Sequence, residues 1–251
     1  MDLPGRGVSV NSIIIIPARM GSTRLPGKPL ADIGGEPMIV RVWRRAIAAS
    51  AGPVLVAAGE EAIAGAIRAA GGTAILTDPD LPSGSDRVYA ALTAFDPEGR
   101  FDAVVNLQGD LPALDGDAVR NVLSALDATG ADIATLAAPI SDPSEADNPN
   151  VVKAVVAWEA NGRRGRALYF TRAPAPHGEG ELFHHVGIYA YRRAALTRFV
   201  ALPPSALEQR EKLEQLRALE AGMTMAVARV DAVPLSVDTP ADLSAARNLL
   251  S

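Results

Sequence analysis

The chain has 251 residues with a formal net charge of -5; 48% of its residues are hydrophobic and 21% charged. That length accommodates one large α/β domain, or a main domain with an inserted lobe, around a sizeable core. The mild acidity excludes sequence-independent nucleic-acid binding, which requires a broad basic face, and the absence of cysteine excludes disulfides, thiolate metal sites and a cysteine nucleophile.

Residues 1–11 read as a flexible tail without the apolar stretch of a signal peptide, and Ile13 to Ile16 is too short to cross a bilayer. No membrane insertion is expected, and a cysteine-free chain fits a reducing, cytoplasmic setting. From Ser12 to the end we expect one domain. Strands are predicted at Ser12–Ile16, Pro53–Ala57, Thr73–Thr77 and Ala103–Leu107, and helices at Met38–Ala51, Glu60–Ala70 and Ser85–Phe95. This alternation is the signature of a parallel sheet with crossover helices. Runs such as Val54, Leu55, Val56 and Ala103, Val104, Val105 do not alternate, so both faces of those strands should be covered.

The second half changes character. Ile133–Ala137, Val151–Val156, Arg166–Phe170 and Val186–Tyr191 are predicted as strands without regular helices between them, which fits a mixed sheet or an inserted lobe at about 140–195. Ser205 and Glu208 have capping-box spacing and open a helix predicted to reach about Ala221, with Leu213, Leu216 and Leu219 on one face and Glu211 and Gln215 on another. Thr239, Pro240 and Asp242 mark the start of the last helix.

The chemistry concentrates in loops. The first strand breaks into a glycine- and proline-rich loop carrying Arg19, Arg24 and Lys28, with no acidic residue between Asn11 and Ala31. It leaves the carboxyl end of a strand, where open α/β sheets bind ligands. Its free amides, arginine forks and mobile lysine suit a triphosphate, although the Walker pattern is absent. The alternative is a solvated basic loop. Asp110, in Gln108-Gly109-Asp110 after a buried strand, either holds Mg²⁺ against phosphate oxygens or caps a turn. Asp238 either faces a ligand while Thr239 caps the last helix, or is itself the cap. Ser83 to Arg87 form a small polar loop suited to a base or ribose, with Ser85 as an alternative helix cap. His185 has no metal-ligand spacing and either binds substrate hydroxyls or packs.

Over Ile13 to Leu249 the chain resembles the 3-deoxy-manno-octulosonate (Kdo) cytidylyltransferases, through IPARMGSTRLPGKPL, PSGSDRV, NLQGD, NPNVVKAV, ALYFTRAP, HHVGIYAY, SALEQREKLEQLR and VDTPADL in order. The resemblance implies a Rossmann-like α/β nucleotidyltransferase fold of the glycosyltransferase A type, with a mostly parallel central sheet and a smaller mixed-sheet lobe used in dimerisation. It implies coupling of CTP to Kdo with release of pyrophosphate, Mg²⁺ as cofactor, and a homodimer. Carried over by motif, Pro17, Ala18, Arg19, Arg24, Lys28, Ser83, Gln108 and Asp110 should meet the nucleotide, and Asp110 and Asp238 the metal. Arg172, His185, Tyr189, Glu211 and Gln215 should form the sugar-acid pocket, with Arg172 facing the carboxylate, and Arg19, Lys28, Asp110 and Asp238 should carry catalysis. The chain departs from the family pattern at Leu111, where Glu is usual, at Leu81, where His is common, and at Ser85, which replaces Thr; the stretch between Pro176 and His184 is short. The rival readings are a CMP-sialic acid synthetase and a nucleotide-binding regulator without catalysis.

Overall fold

The computed structural model describes residues 10–22 and 24–250. Most of the expected tail, positions 1–9, and positions 23 and 251 lie outside the described residues. Strand β1 (Ser12–Ala18) is buried along its whole length because it has parallel neighbours on both sides and helices on both faces. Ile14 and Ile16 point into one core and Ile13 and Ile15 into the other, as the two-residue period of a strand requires.

After β1 come a small hairpin of β2 (Asp32–Ile33) and β3 (Glu36–Pro37), then α1 (Met38–Ala48), β4 (Val54–Ala58), α2 (Glu61–Ala69), β5 (Thr73–Leu76), α3 (Gly84–Phe95), β6 (Ala103–Asn106) and α4 (Gly116–Thr129). The second half runs β7 (Ile133–Pro139), α5 (Pro143–Ala146), β8 (Lys153–Trp158), β9 (Arg164–Thr171), β10 (Phe183–Arg192), α6 (Arg193–Val200), α7 (Ala206–Glu211), α8 (Leu216–Glu220), β11 (Met225–Arg229) and α9 (Pro240–Leu250). The larger sheet has nine strands in the order β5-β4-β1-β6-β10-β7-β11-β9-β8. Its first four strands pair in parallel. Beyond them β10 is antiparallel to both β6 and β7, β11 is parallel to β7, and the β8–β9 hairpin closes the edge. Residues from α1, α2, α4 and α9 fill one core, and residues from α3, α6 and α8 the other.

Three expectations need correction. The helix predicted from Ser205 to Ala221 is broken: α7 ends at Lys212, whose φ of 57° is left-handed, and α8 restarts at Leu216. The chain changes direction at Lys212, and Leu213 and Leu216 beyond it are both buried in the core. The helix predicted to reach Ala51 stops at Ala48. The third concerns α3: its cap is Ser83, whose hydroxyl accepts from the Asp86 amide, and Ser85 lies buried in the first turn. Composition alone did not single out α4, α6 or β11, because their apolar residues blend into a chain rich in alanine.

Candidate active site

The loops after β1 and β6 emerge side by side because the two strands are parallel neighbours, with the Leu107 amide bonded to Ile15 O at 3.1 Å. Gly109 permits the close approach of the second loop: a Cβ there would stand 3.0 Å from Pro17 O and 3.1 Å from Ile39. The Asp110 carbonyl accepts from the Val237 amide at 2.9 Å, and so draws the segment before α9 to the same edge. Thr239 caps α9, accepting from Asp242, while the Asp242 carboxylate accepts from the Asp238 and Thr239 amides. Of the two readings of Asp238, its side chain is therefore the one turned to the loops.

Lys28 sits in a short 3₁₀ turn opened by Gly27 in the left-handed region, φ 71°. Its Nζ lies 2.8 Å from Asp110 Oδ2 and 3.0 Å from Asp238 Oδ1, and Arg24 lies 3.2 Å from the same Asp238 oxygen. Burial by itself would lower the Lys28 pKa, but the two carboxylates, Asp110 foremost, hold it above the ordinary lysine value. The loop that has no acidic residue of its own thus finds carboxylates for Lys28 at 82 and 210 positions away. Glu60 adds a latch, accepting from the Met20 amide at 2.9 Å. Arg19 is exposed and forms no ion pair among the described residues.

Between the two loops and the N-terminus of α3 is a cleft of about 260 Å³. Of the residues expected at a nucleotide, Pro17, Ala18, Arg19, Lys28, Ser83, Gln108 and Asp110 line it; Arg24 stands outside, at Asp238. Arg87, the last residue of the polar loop read as suited to a base or ribose, lines it too. Its guanidinium is held by the carbonyls of Asp78 and Pro79, and burial pulls its pKa down. Leu81 forms part of the wall, whereas Leu111 turns into the core, where an apolar side chain suits its surroundings.

Two convergent carboxylates offer hard oxygen donors, and among the described residues no third His, Cys, Asp or Glu joins them. That set fits Mg²⁺, which binds through one or two carboxylates and completes its shell with water and substrate phosphate.

The residues expected at a sugar acid lie outside that cleft's lining, at the end of β9, on β10 and along α7 and the start of α8. His185 on β10 is buried against Phe170 and Tyr189, with ring centroids 4.7 and 5.5 Å away. Thr135 Oγ1 lies 3.0 Å from His185 Nε2 and 2.9 Å from Ile188 O; if the hydroxyl donates to the carbonyl, the imidazole carries its proton on Nε2. Burial brings the His185 pKa down to about 3, so the ring is neutral. Arg172 donates to the carbonyls of Glu211 at 2.7 Å and Pro149 at 2.8 Å. Glu211 accepts from Thr171 Oγ1 and the Arg172 amide. These two residues clamp α7 to the end of β9, leaving Arg172 only part of its donor fork for a ligand. Gln215 is buried at the start of α8. Its neighbour Glu214 was not assigned from the sequence. Burial pushes the Glu214 carboxyl above the usual range, its charge reaches Tyr189 and Tyr191, and its Oε1 is buried without a partner. Asn106, a lone polar residue ending the apolar run of β6, was the readable sign of a buried network here.

A cytidylyltransferase family model matches residues 13–225. The chain is 65% identical over 239 residues to a 3-deoxy-manno-octulosonate cytidylyltransferase of Parvibaculum lavamentivorans, covering 95% of this chain and 92% of that one. It is 65% identical over 240 residues to one of Rhodospirillum centenum, covering 96% and 93%. The solved structure of a CMP:2-keto-3-deoxy-manno-octonic acid synthetase complexed with CTP is similar with a TM-score of 0.87 at 40% identity, over 95% of this chain and 98% of that one. With a family model spanning most of its length and relatives this similar end to end, the chain belongs to the cytidylyltransferase family, among the 3-deoxy-manno-octulosonate cytidylyltransferases.

Proposed function

We infer that this chain couples CTP to Kdo, giving CMP-Kdo and pyrophosphate, and so activates Kdo for lipopolysaccharide synthesis. The observation that carries the reading is the meeting of Lys28, Asp110 and Asp238 at the mouth of a cleft lined by Arg19, Ser83 and Gln108, in a chain so similar to enzymes named for this reaction. The anomeric hydroxyl of Kdo attacks the α-phosphorus in line, the P–O bond to the β-phosphate breaks, and the hydroxyl proton passes to solvent. Arg19, Arg24 and Lys28 hold the triphosphate and meet the negative charge that builds on its oxygens. Asp110 and Asp238 would hold Mg²⁺, which supplies Lewis-acid stabilisation of that charge when bound. On the sugar side Tyr189, Glu214 and Gln215 offer polar groups to hydroxyls, and His185 offers a neutral imidazole.

The finer architecture belongs to the same reading: a Rossmann-like, glycosyltransferase A type domain, with residues 140–195 as the substrate and dimerisation lobe of a cytoplasmic homodimer. Leu168, 47% exposed on β9, supports an apolar contact there. The test is pyrophosphate release from CTP and Mg²⁺ with Kdo or N-acetylneuraminate, with the sugar nucleotide identified by mass. Turnover with Kdo is expected, abolished by Asp110→Asn in a folded protein. Preference for N-acetylneuraminate, or tight CTP binding without turnover, would overturn the assignment.

A further inference from the structure

A line of polar side chains runs through the core from the nucleotide cleft to Glu214. Gln108, at the cleft wall, donates through Nε2 to Asn106 Oδ1 at 3.0 Å. Asn106 Nδ2 donates to Ser85 Oγ at 3.4 Å, and Ser85 Oγ donates to Glu214 Oε2 at 3.1 Å. Asn106 and Ser85 are each 1% exposed and neither lines the cleft. They come from different elements, β6 and the first turn of α3, and reach Glu214 across 129 positions of sequence.

Every donor in this line points the same way. Ser85 has a single proton, and giving it to the carboxylate requires that its oxygen accept from Asn106. Asn106 must then present its carbonyl oxygen to Gln108. Turning the Gln108 amide over would set one carbonyl oxygen against another, so its orientation at the cleft and the hold on Glu214 are linked. At the far end Glu214 Oε1 is buried with no partner. A buried carboxylate oxygen in that state seeks a donor, and a ligand hydroxyl beside Tyr189 would supply one.

We propose that Asn106 and Ser85 are positioning residues that couple the two substrate sites: a nucleotide that seats Gln108 steadies, through them, the carboxylate that receives the sugar acid. The proposal rests on the cytidylyltransferase reading. Because coupling between two binding sites is reciprocal, each substrate tightens the other, and the nucleotide-bound enzyme is the form prepared for the sugar.

Calorimetry separates this role from simple packing. The probes are Kdo and α,β-methylene CTP, in which the bond that breaks is replaced, with Mg²⁺ present. In the unaltered protein Kdo should bind about fivefold or more tightly once the analogue is bound. Ser85→Ala, and separately Asn106→Asp, which keeps the shape but removes the donor to Ser85, should bring that ratio to about one with native circular dichroism and near-normal affinity for the analogue alone. Ser85→Thr, which retains the hydroxyl, should restore the ratio. A wild-type ratio in either folded variant, failure of Ser85→Thr to restore it, or loss of the fold in both variants overturns the proposal. An unaltered protein that binds both probes independently also overturns it and leaves the cytidylyltransferase reading standing; one that binds neither sinks that reading itself.

Discussion

Lys28 carries the densest electrostatics of the site. Its ammonium pairs with Asp110 and Asp238 at once, and both contacts are close enough for charge-assisted hydrogen bonds. A divalent cation entering between those carboxylates must displace it, which frees the lysine for phosphate. Replacing Lys28 by Met should therefore lower kcat/KM by about 10²-fold or more, the usual loss when a donor to developing phosphate charge is removed. The same variant, without nucleotide, should bind Mn²⁺ more tightly than the unaltered protein in a titration followed by electron paramagnetic resonance. Equal Mn²⁺ affinity would mean that the lysine does not compete for the carboxylates. From the sequence, Arg19, Lys28, Asp110 and Asp238 were legible as candidates because glycine, proline and strand ends bracket them. That Lys28 stands between the two carboxylates was not legible, since nothing local relates positions 28 and 238.

Among the elements, the break between α7 and α8 departs furthest from its sequence pattern. Ser205 and Glu208 form the capping box that their spacing predicts, and the residues beyond favour a helix. The chain nevertheless turns at Lys212, where Arg172 holds the carbonyl of Glu211 at the end of α7. A non-glycine residue in the left-handed region costs about 1–2 kcal/mol. Lys212→Gly should then stabilise the protein by up to about 1 kcal/mol in urea unfolding, after the greater chain entropy of glycine is offset. Lys212→Val should destabilise it by at least as much, since a branched side chain fits that backbone worst. No gain with glycine would place the bend's cost elsewhere. The box at Ser205 was readable because capping involves neighbours three residues apart; the break was not, because Arg172, which holds the end of α7, lies just past β9, 39 positions from Glu211.

At the scale of the whole molecule, acid sensitivity follows from what the sheet encloses. His185 titrates at about 3 in the folded protein because burial disfavours the imidazolium, against 6.5 for an exposed ring. As pH falls the unfolded chain takes up the proton first, so stability is full above about pH 6.5. Below that it declines, by at most roughly 1.4 kcal/mol per pH unit, until the native ring titrates. Asp96 works lower: burial opposes its charge, but Arg100, Phe101 and Arg193 hold its carboxyl below the usual range, so its contribution is lost only beneath about pH 4. Urea midpoints should therefore drop between pH 6.5 and 4.5, and His185→Gln should flatten that slope; an unchanged slope would assign it to other groups. The sequence by itself determined the alternation of strands and helices in the first half, the burial of both faces of β4 and β6, and the basic loop and carboxylates at strand ends. Each of these depends on periodicity or on residues within a turn of one another. Only the tertiary structure decided that β10 enters the sheet antiparallel between β6 and β7, that Lys28 meets Asp238, and that Ser85 and Asn106 lie in line with Glu214. Those contacts join segments far apart in the chain, and their pairing is set by strand order and by the packing of the two cores, neither of which any short stretch of sequence encodes.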